Sequence, residues 1–258
     1  MNPLNITTKI AKSVLICIAI LFSSLALGQQ YSSDSWLSKP YGTMTVIPTI
    51  GQTSSMLMTT YSLFPKWEFT MAFWIYDHDR DVSTDDSYTT SIYAKYMFYQ
   101  NKAETGGSSV KFGTGLDPGV LTEDGIDAFQ SYWVNFPTTI PLFNNKLSWD
   151  IMPGVSTNIQ NGNDSIATSF TYTTRLAWYC FGPKLAIVGE IFGSEGQTIN
   201  NPDYRIGLRW EPGPHAAFAV TYSEEFAGSS GAGFEFGIML FSPPFVGLGK
   251  NSKKQFTD

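Results

Sequence analysis

Ten charged residues of this chain stand at alternating positions among apolar neighbours: Glu68, Lys95, Lys111, Asp117, Asp150, Arg175, Glu190, Arg205, Arg209 and Glu235. Residues two apart share one face of a β-strand. A face that carries both signs, next to a face of Trp, Phe, Ile and Leu, suits a water-filled lumen inside an apolar wall. Two chemistries are open to such a set. It can line a polar passage with a selective constriction, or it can pair internally and fill the space.

Other chemistry has less to work with. Segment 77–86, DHDRDVSTDD, holds five aspartates and His78. Clustered carboxylates can supply oxygen ligands to calcium, but the Gly and distal Glu of an EF-hand loop are missing. A solvated acidic loop is the expectation there. A serine hydrolase or acyltransferase needs a histidine base, and the chain offers only His78 and His215. His78 could be oriented by Asp77 or Asp79, yet no Gly-x-Ser-x-Gly elbow singles out a nucleophile. The stretch GGSSVKFGTG lacks the Gly-Lys-Ser/Thr ending of a phosphate loop. One mature cysteine and two histidines are too few for a zinc site. No catalytic residue, metal site or cofactor is expected.

The first residues have a separate role. Lys9 and Lys12 precede an apolar run from Val14 to Phe22, which gives way to Ala26-Leu27-Gly28. A basic start, a short apolar core and a small-x-small site describe a signal peptide, with cleavage expected after Gly28. Spanning a bilayer as a helix takes about 20 residues, and this run is shorter. Cys17 follows Ile16, which is too large for a lipoprotein cleavage site. Cys180 is then alone in the mature chain, so no intramolecular disulfide can form. Without Lys9 and Lys12 the chain has 14 basic and 22 acidic residues, a net charge of −8, which argues against nucleic acid as a partner.

After residue 28 no apolar run reaches helix-spanning length, and period-two alternation recurs throughout. Twelve strand segments are predicted, at 42–50, 54–63, 67–77, 87–99, 109–117, 128–137, 146–155, 166–179, 184–193, 203–211, 215–225 and 232–241. In 203–211, Tyr204, Ile206, Leu208 and Trp210 oppose Arg205, Gly207, Arg209 and Glu211. In 67–77, Trp67, Phe69, Met71, Phe73 and Ile75 oppose Glu68, Thr70 and Ala72. Segments of roughly 9–13 residues exceed the usual globular strand and match a tilted membrane strand.

Short connections near 64–66, 142–145, 182–183 and 211–214 alternate with longer polar ones near 78–86, 118–127, 156–165, 194–202 and 226–231. Outer-membrane barrels have this asymmetry, short turns inside and longer loops outside. Two connections depart from it: 100–108 is long for a turn, and 51–53 is short for a loop. Trp67, Trp149, Trp178 and Trp210 all fall beside short turns, where an aromatic girdle would lie. An open sheet would leave backbone groups unpaired in hydrocarbon, so the first and last strands must meet. The expected architecture is all-β: a transmembrane antiparallel up-and-down barrel of about twelve strands, an even number. It spans 29–241, after a signal peptide (1–28) and before a periplasmic tail (242–258).

Residues 203–245 run DYRIGLRWEPGPHAAFAVTYSEEFAGSSGAGFEFGIMLFSPPF. A strand ending in Glu-Pro, an Ala-rich strand, a Gly-rich loop and a last strand closing on Pro-Pro-Phe follow in order. This stretch resembles the outer-membrane channel family named after the meta-pathway of phenol degradation. The resemblance implies a barrel of about twelve strands and a role in solute passage, and it transfers no functional residue. Three classes of function remain: passive passage of small, apolar or aromatic solutes; a structural or surface-interaction barrel; and an outer-membrane enzyme. The expected partners are outer-membrane lipid, a small-molecule solute and the barrel-assembly machinery during insertion.

Overall fold

The structure is a computed structural model that describes residues 41–76, 87–115, 121–122, 125–126, 131–160, 165–196, 200–227 and 231–245. The signal segment 1–28, the acidic segment 77–86 with His78, Asp117 and tail residues 246–258 lie outside the described residues.

Twelve antiparallel strands close into a barrel. They are β1 (Met44–Gly51), β2 (Ser54–Phe64), β3 (Trp67–Tyr76), β4 (Ser87–Gln100), β5 (Gly107–Gly115), β6 in two pieces (Ser131–Asn135 and Thr138–Leu142), β7 (Leu147–Gln160), β8 (Ser165–Trp178), β9 (Leu185–Gly196), β10 (Asn200–Gly213), β11 (Ala216–Glu225) and β12 (Gly233–Phe241). Each pairs with its sequence neighbour, and β12 pairs with β1 from Thr45↔Phe241 to Gly51↔Glu235. No helix occurs among the described residues. A small separate hairpin, Leu121–Thr122 with Gly125–Ile126, lies in the connection between β5 and β6.

Alternation assigns the two faces. Met71, Ile75, Ile206, Leu208, Phe234 and Leu240 point outward and are exposed, while Thr70, Ala72, Thr221, Ser223, Ala217 and Ala219 point inward and are buried. A soluble protein could not leave so much contiguous apolar surface uncovered. In a transmembrane barrel hydrocarbon covers it. Closure leaves no unpaired edge, which is the condition for a sheet to sit in lipid.

Several strands run beyond the predicted segments. β7 reaches Gln160 and β8 starts at Ser165, so most of 156–165 is strand rather than loop. Likewise β9 reaches Gly196 and β10 starts at Asn200. The polar residues Ser156 and Asn158 suggest a loop because lumen-facing polar positions at a strand end look like turn chemistry. The long turn after β4 shrinks to 101–106. Asn101 Oδ1 accepts a bond from Thr105 N at 2.9 Å, and Asn101 N donates to Gly106 O at 2.8 Å, which ties the loop together.

The sixth strand departs most from 128–137. Its described part begins at Ser131, breaks at Phe136-Pro137, and resumes over Thr138–Leu142. Proline has no N–H to offer the ladder, so the chain bends there. The flanking bonds Phe136 N to Pro153 O and Ser109 N to Pro137 O, both 2.9 Å, keep the wall continuous. The second piece, which holds Pro141, falls between the predicted segments 128–137 and 146–155.

Candidate functional site: a charged belt in the barrel lumen

Cross-strand register, more than proximity in sequence, assembles the site. Asp150 on β7 lies opposite Arg175 on β8, Arg175 opposite Glu190 on β9, and Glu190 opposite Arg205 on β10. One inward residue from each of four successive strands therefore stands on one line, with signs alternating. On the other side Glu68 of β3 lies opposite Lys95 of β4, which lies opposite Lys111 of β5. A one-residue slip in any of these pairings would turn a strand's charge into the lipid.

The charges pair. Lys95 Nζ is 2.7 Å from Glu68 Oε2. Arg175 donates from Nε and Nη2 to Asp150 Oδ2 at 2.9 and 2.7 Å, and Thr139 Oγ1 donates to Asp150 Oδ1. Arg205 is shared: Nη1 lies 3.4 Å from Glu190 Oε2 and Nη2 lies 2.9 Å from Glu235 Oε2. Nearer the short turns, Arg209 Nε is 2.9 Å from Glu211 Oε1, which also accepts a bond from Tyr179 Oη at 2.8 Å. The belt residues Glu68, Lys95, Asp150, Arg175, Glu190, Arg205 and Glu235 are only 2–8 % exposed. Removal from bulk water makes each pair dependent on its partner.

An aromatic wall stands beside the belt. Lys111 Nζ lies 4.3 Å from the Tyr93 ring centre and 5.4 Å from that of Trp133, and the two rings are 5.3 Å apart. Cations are drawn to such faces by the ring quadrupole. Arg205 lies 5.1 Å over Phe192. Asn135 reaches across the inner wall to accept a bond from Thr171 Oγ1 at 3.0 Å. It passes over Gly154, where a Cβ would collide with the Asn135 amide and with Val134 O.

The belt does not fill the lumen. A cavity of about 1110 Å³ runs beside it, lined by Ser54, Tyr76 and Ala232 toward the long-loop end and by Tyr179 and Pro214 toward the short-turn end. Tyr179 lies just past the end of β8. Burial, and then the Glu211 charge and hydrogen bond, push its hydroxyl up to about 12 against the counteracting Arg209. A tyrosine whose folded value is raised above its ordinary 10.0 adds stability that is complete below pH 10 and vanishes as pH climbs through 12. The denaturant midpoint of the wild type should therefore fall more steeply between pH 10 and 12 than that of Tyr179→Phe. Parallel curves for the two proteins would contradict the buried hydroxyl.

Nine of the ten expected lumen residues project inward on described strands: Glu68, Lys95, Lys111, Asp150, Arg175, Glu190, Arg205, Arg209 and Glu235. The tenth, Asp117, lies outside the described residues. Thr139, Tyr93, Trp133 and Phe192 join them unforeseen. Tyr93 sits in SIYAKYMFY, two residues before Lys95 and so on its face, but both faces there carry large apolar groups and a ring does not stand out as a lumen residue. Trp67, Trp149, Trp178 and Trp210 stand on the outer face at the short-turn end. Trp149 Nε1 donates to Thr174 Oγ1 at 2.8 Å, Trp67 packs 4.8 Å from Tyr96, and Trp210 stacks 5.3 Å from Phe218.

A closed twelve-stranded barrel with an apolar outside and a charged inside has the fold of outer-membrane channels. Solved structures agree. The KdgM porin aligns with a TM-score of 0.52 at 11% identity, covering 77% of this chain and 98% of that one. A structure of KdgM porin in complex with disordered oligogalacturonate gives 0.51 at 10% identity, covering 78% and 98%. An outer membrane channel from Pseudomonas putida F1 gives 0.52 at 11% identity, covering 82% and 99%. No family model and no curated protein matches the chain. At these identities the likeness is one of fold.

Proposed function

We propose that the protein is a bacterial outer-membrane channel for passive passage of small solutes with apolar or aromatic groups. The observation that carries this reading is the cavity of about 1110 Å³, reached by lining residues from both ends of the barrel. The belt beside it carries both signs, so it suits neither strong cation nor strong anion selection. Tyr93, Trp133 and Phe192 offer flat apolar faces along the same path, and the resemblance of 203–245 to the phenol meta-pathway family favours aromatic solutes. The short turns and both termini then face the periplasm. The signal peptide is removed after Gly28, the tail 242–258 extends into the periplasm, assembly uses the barrel-assembly machinery, and the four tryptophans form the inner girdle. The buried ion pairs favour a second reading, a closed structural barrel.

Swelling of proteoliposomes in isosmotic amino acids separates the readings. Phenylalanine should enter at least as fast as the smaller alanine, because the aromatic wall offsets its size. Entry ranked by size alone would remove the aromatic preference. No swelling in either would leave the structural barrel.

A further inference from the structure

We propose that the short-turn rim of the barrel is a binding surface for anionic phospholipid headgroups; the inference takes its membrane setting from the reading above. Five turns form this rim. Lys66, Lys102, Lys146 and Lys184 occupy four of them and His215 the fifth, all exposed. Among the described residues none of these four ammonium groups pairs with a carboxylate. Glu104 is exposed beside them, and Glu211 is engaged by Arg209 and Tyr179.

Among the described residues the placement of cations on the outside is one-sided. Every Lys and Arg within a described strand faces the lumen, so the outward basic groups of the described residues lie in the short turns. Near the other end of the described wall Glu195 and Glu224 point outward, and the sequence between β3 and β4, 77–86, has five aspartates against Arg80.

Each rim lysine but Lys102 stands beside an outward tryptophan. Lys66 precedes Trp67. Lys146 precedes Leu147, which pairs with Trp178, and Trp149 follows. The Lys184 carbonyl accepts a bond from Glu211 N at 2.7 Å, next to Trp210. Tryptophan sits at the level where headgroups meet hydrocarbon. A lysine there can lay its apolar stem along the wall and raise its ammonium to a phosphate. A zwitterionic headgroup offers that ammonium a phosphate already neutralised by choline, whereas phosphatidylglycerol offers a net negative charge. Basic residues near an anionic surface each gain from it, and salt screens the gain.

The test uses the purified protein with Trp36→Phe, reconstituted in phosphatidylcholine vesicles. An equal fraction of either dibromo-phosphatidylglycerol or dibromo-phosphatidylcholine is included. Bromine quenches tryptophan on contact, and the outward tryptophans of the described wall all lie at this rim. At low salt the brominated anionic lipid should quench about twofold more than the brominated zwitterionic one, a ratio set by several-fold enrichment at the lysines. The ratio should fall to one in high salt, and at low salt in K66Q/K102Q/K146Q/K184Q. Equal quenching of the wild type at low salt overturns the proposal, and the salt series decides it even if the variant does not fold. A barrel that conducts without lipid preference contradicts this inference alone. One that prefers the anionic lipid but is watertight contradicts the channel reading alone.

Discussion

Arg205→Ala should destabilise the barrel by about 3–5 kcal/mol, the usual consequence of removing one partner from a buried pair. The effect is large because Arg205 serves two carboxylates. Glu190 and Glu235 lie 3.4 and 2.9 Å from its terminal nitrogens, and both are buried. Without the guanidinium, two carboxylates face each other with little water between them and no cation to offset their charge. Urea unfolding of the reconstituted protein, followed by outward tryptophan fluorescence, gives the number. Glu235→Gln in the same background should recover part of the loss, because it removes one stranded charge. A loss under about 1 kcal/mol, the range of solvent-exposed pairs, would mean that the belt is bathed in water.

The second large effect concerns closure. Gly237 of β12 lies between Thr49 of β1 and Ala219 of β11. Gly237→Pro removes a backbone donor and forces a ring into the ladder beside the seam where the ends of the chain meet. In the middle of a sheet this costs about 3 kcal/mol or more, and in hydrocarbon the freed carbonyl finds no water. The variant should give no heat-resistant folded band on a gel, while Gly237→Ala should still fold. Normal folding of the proline variant would place the seam elsewhere.

Much of this architecture is legible in the residues, for a physical reason. Where one face is Ile206, Leu208 and Trp210 and the other Arg205, Gly207 and Arg209, only one orientation keeps charge out of lipid. The belt residues of β8 to β12 follow directly. Legibility fails for lumen residues that are neither charged nor small. Tyr93 and Trp133 stand two residues from the inward Lys95 and Asn135, so period two gives their direction, but their rings look like residues of the outer wall. It fails again at strand ends, where Ser156 and Asn158 are inward strand positions with loop-like chemistry. Pairing distance is the third gap. Asp150 and Arg175, or Arg205 and Glu235, are partners through register, and register depends on turns whose lengths the residue types leave open. The break at Phe136-Pro137 displaced the sixth strand for that reason, and Thr139 was lost with it.

The lysine rim and the charged belt follow the same rule. Cations of the described residues lie on the lumen face or in the short turns, and none lies on the outer face of a strand. An outward arginine at mid-height would cost about 2–4 kcal/mol, and the described strands contain none.

The central claim is that the lumen is open. Current through the purified protein in a planar bilayer tests it most directly, with Arg209→Ala recorded alongside because that residue is half-buried and near the short-turn mouth. The account predicts discrete conductance steps, and a shift toward cations in Arg209→Ala as Glu211 loses its partner. Silence from a barrel shown to be folded and inserted would contradict it, and would mean that the ion pairs close the lumen.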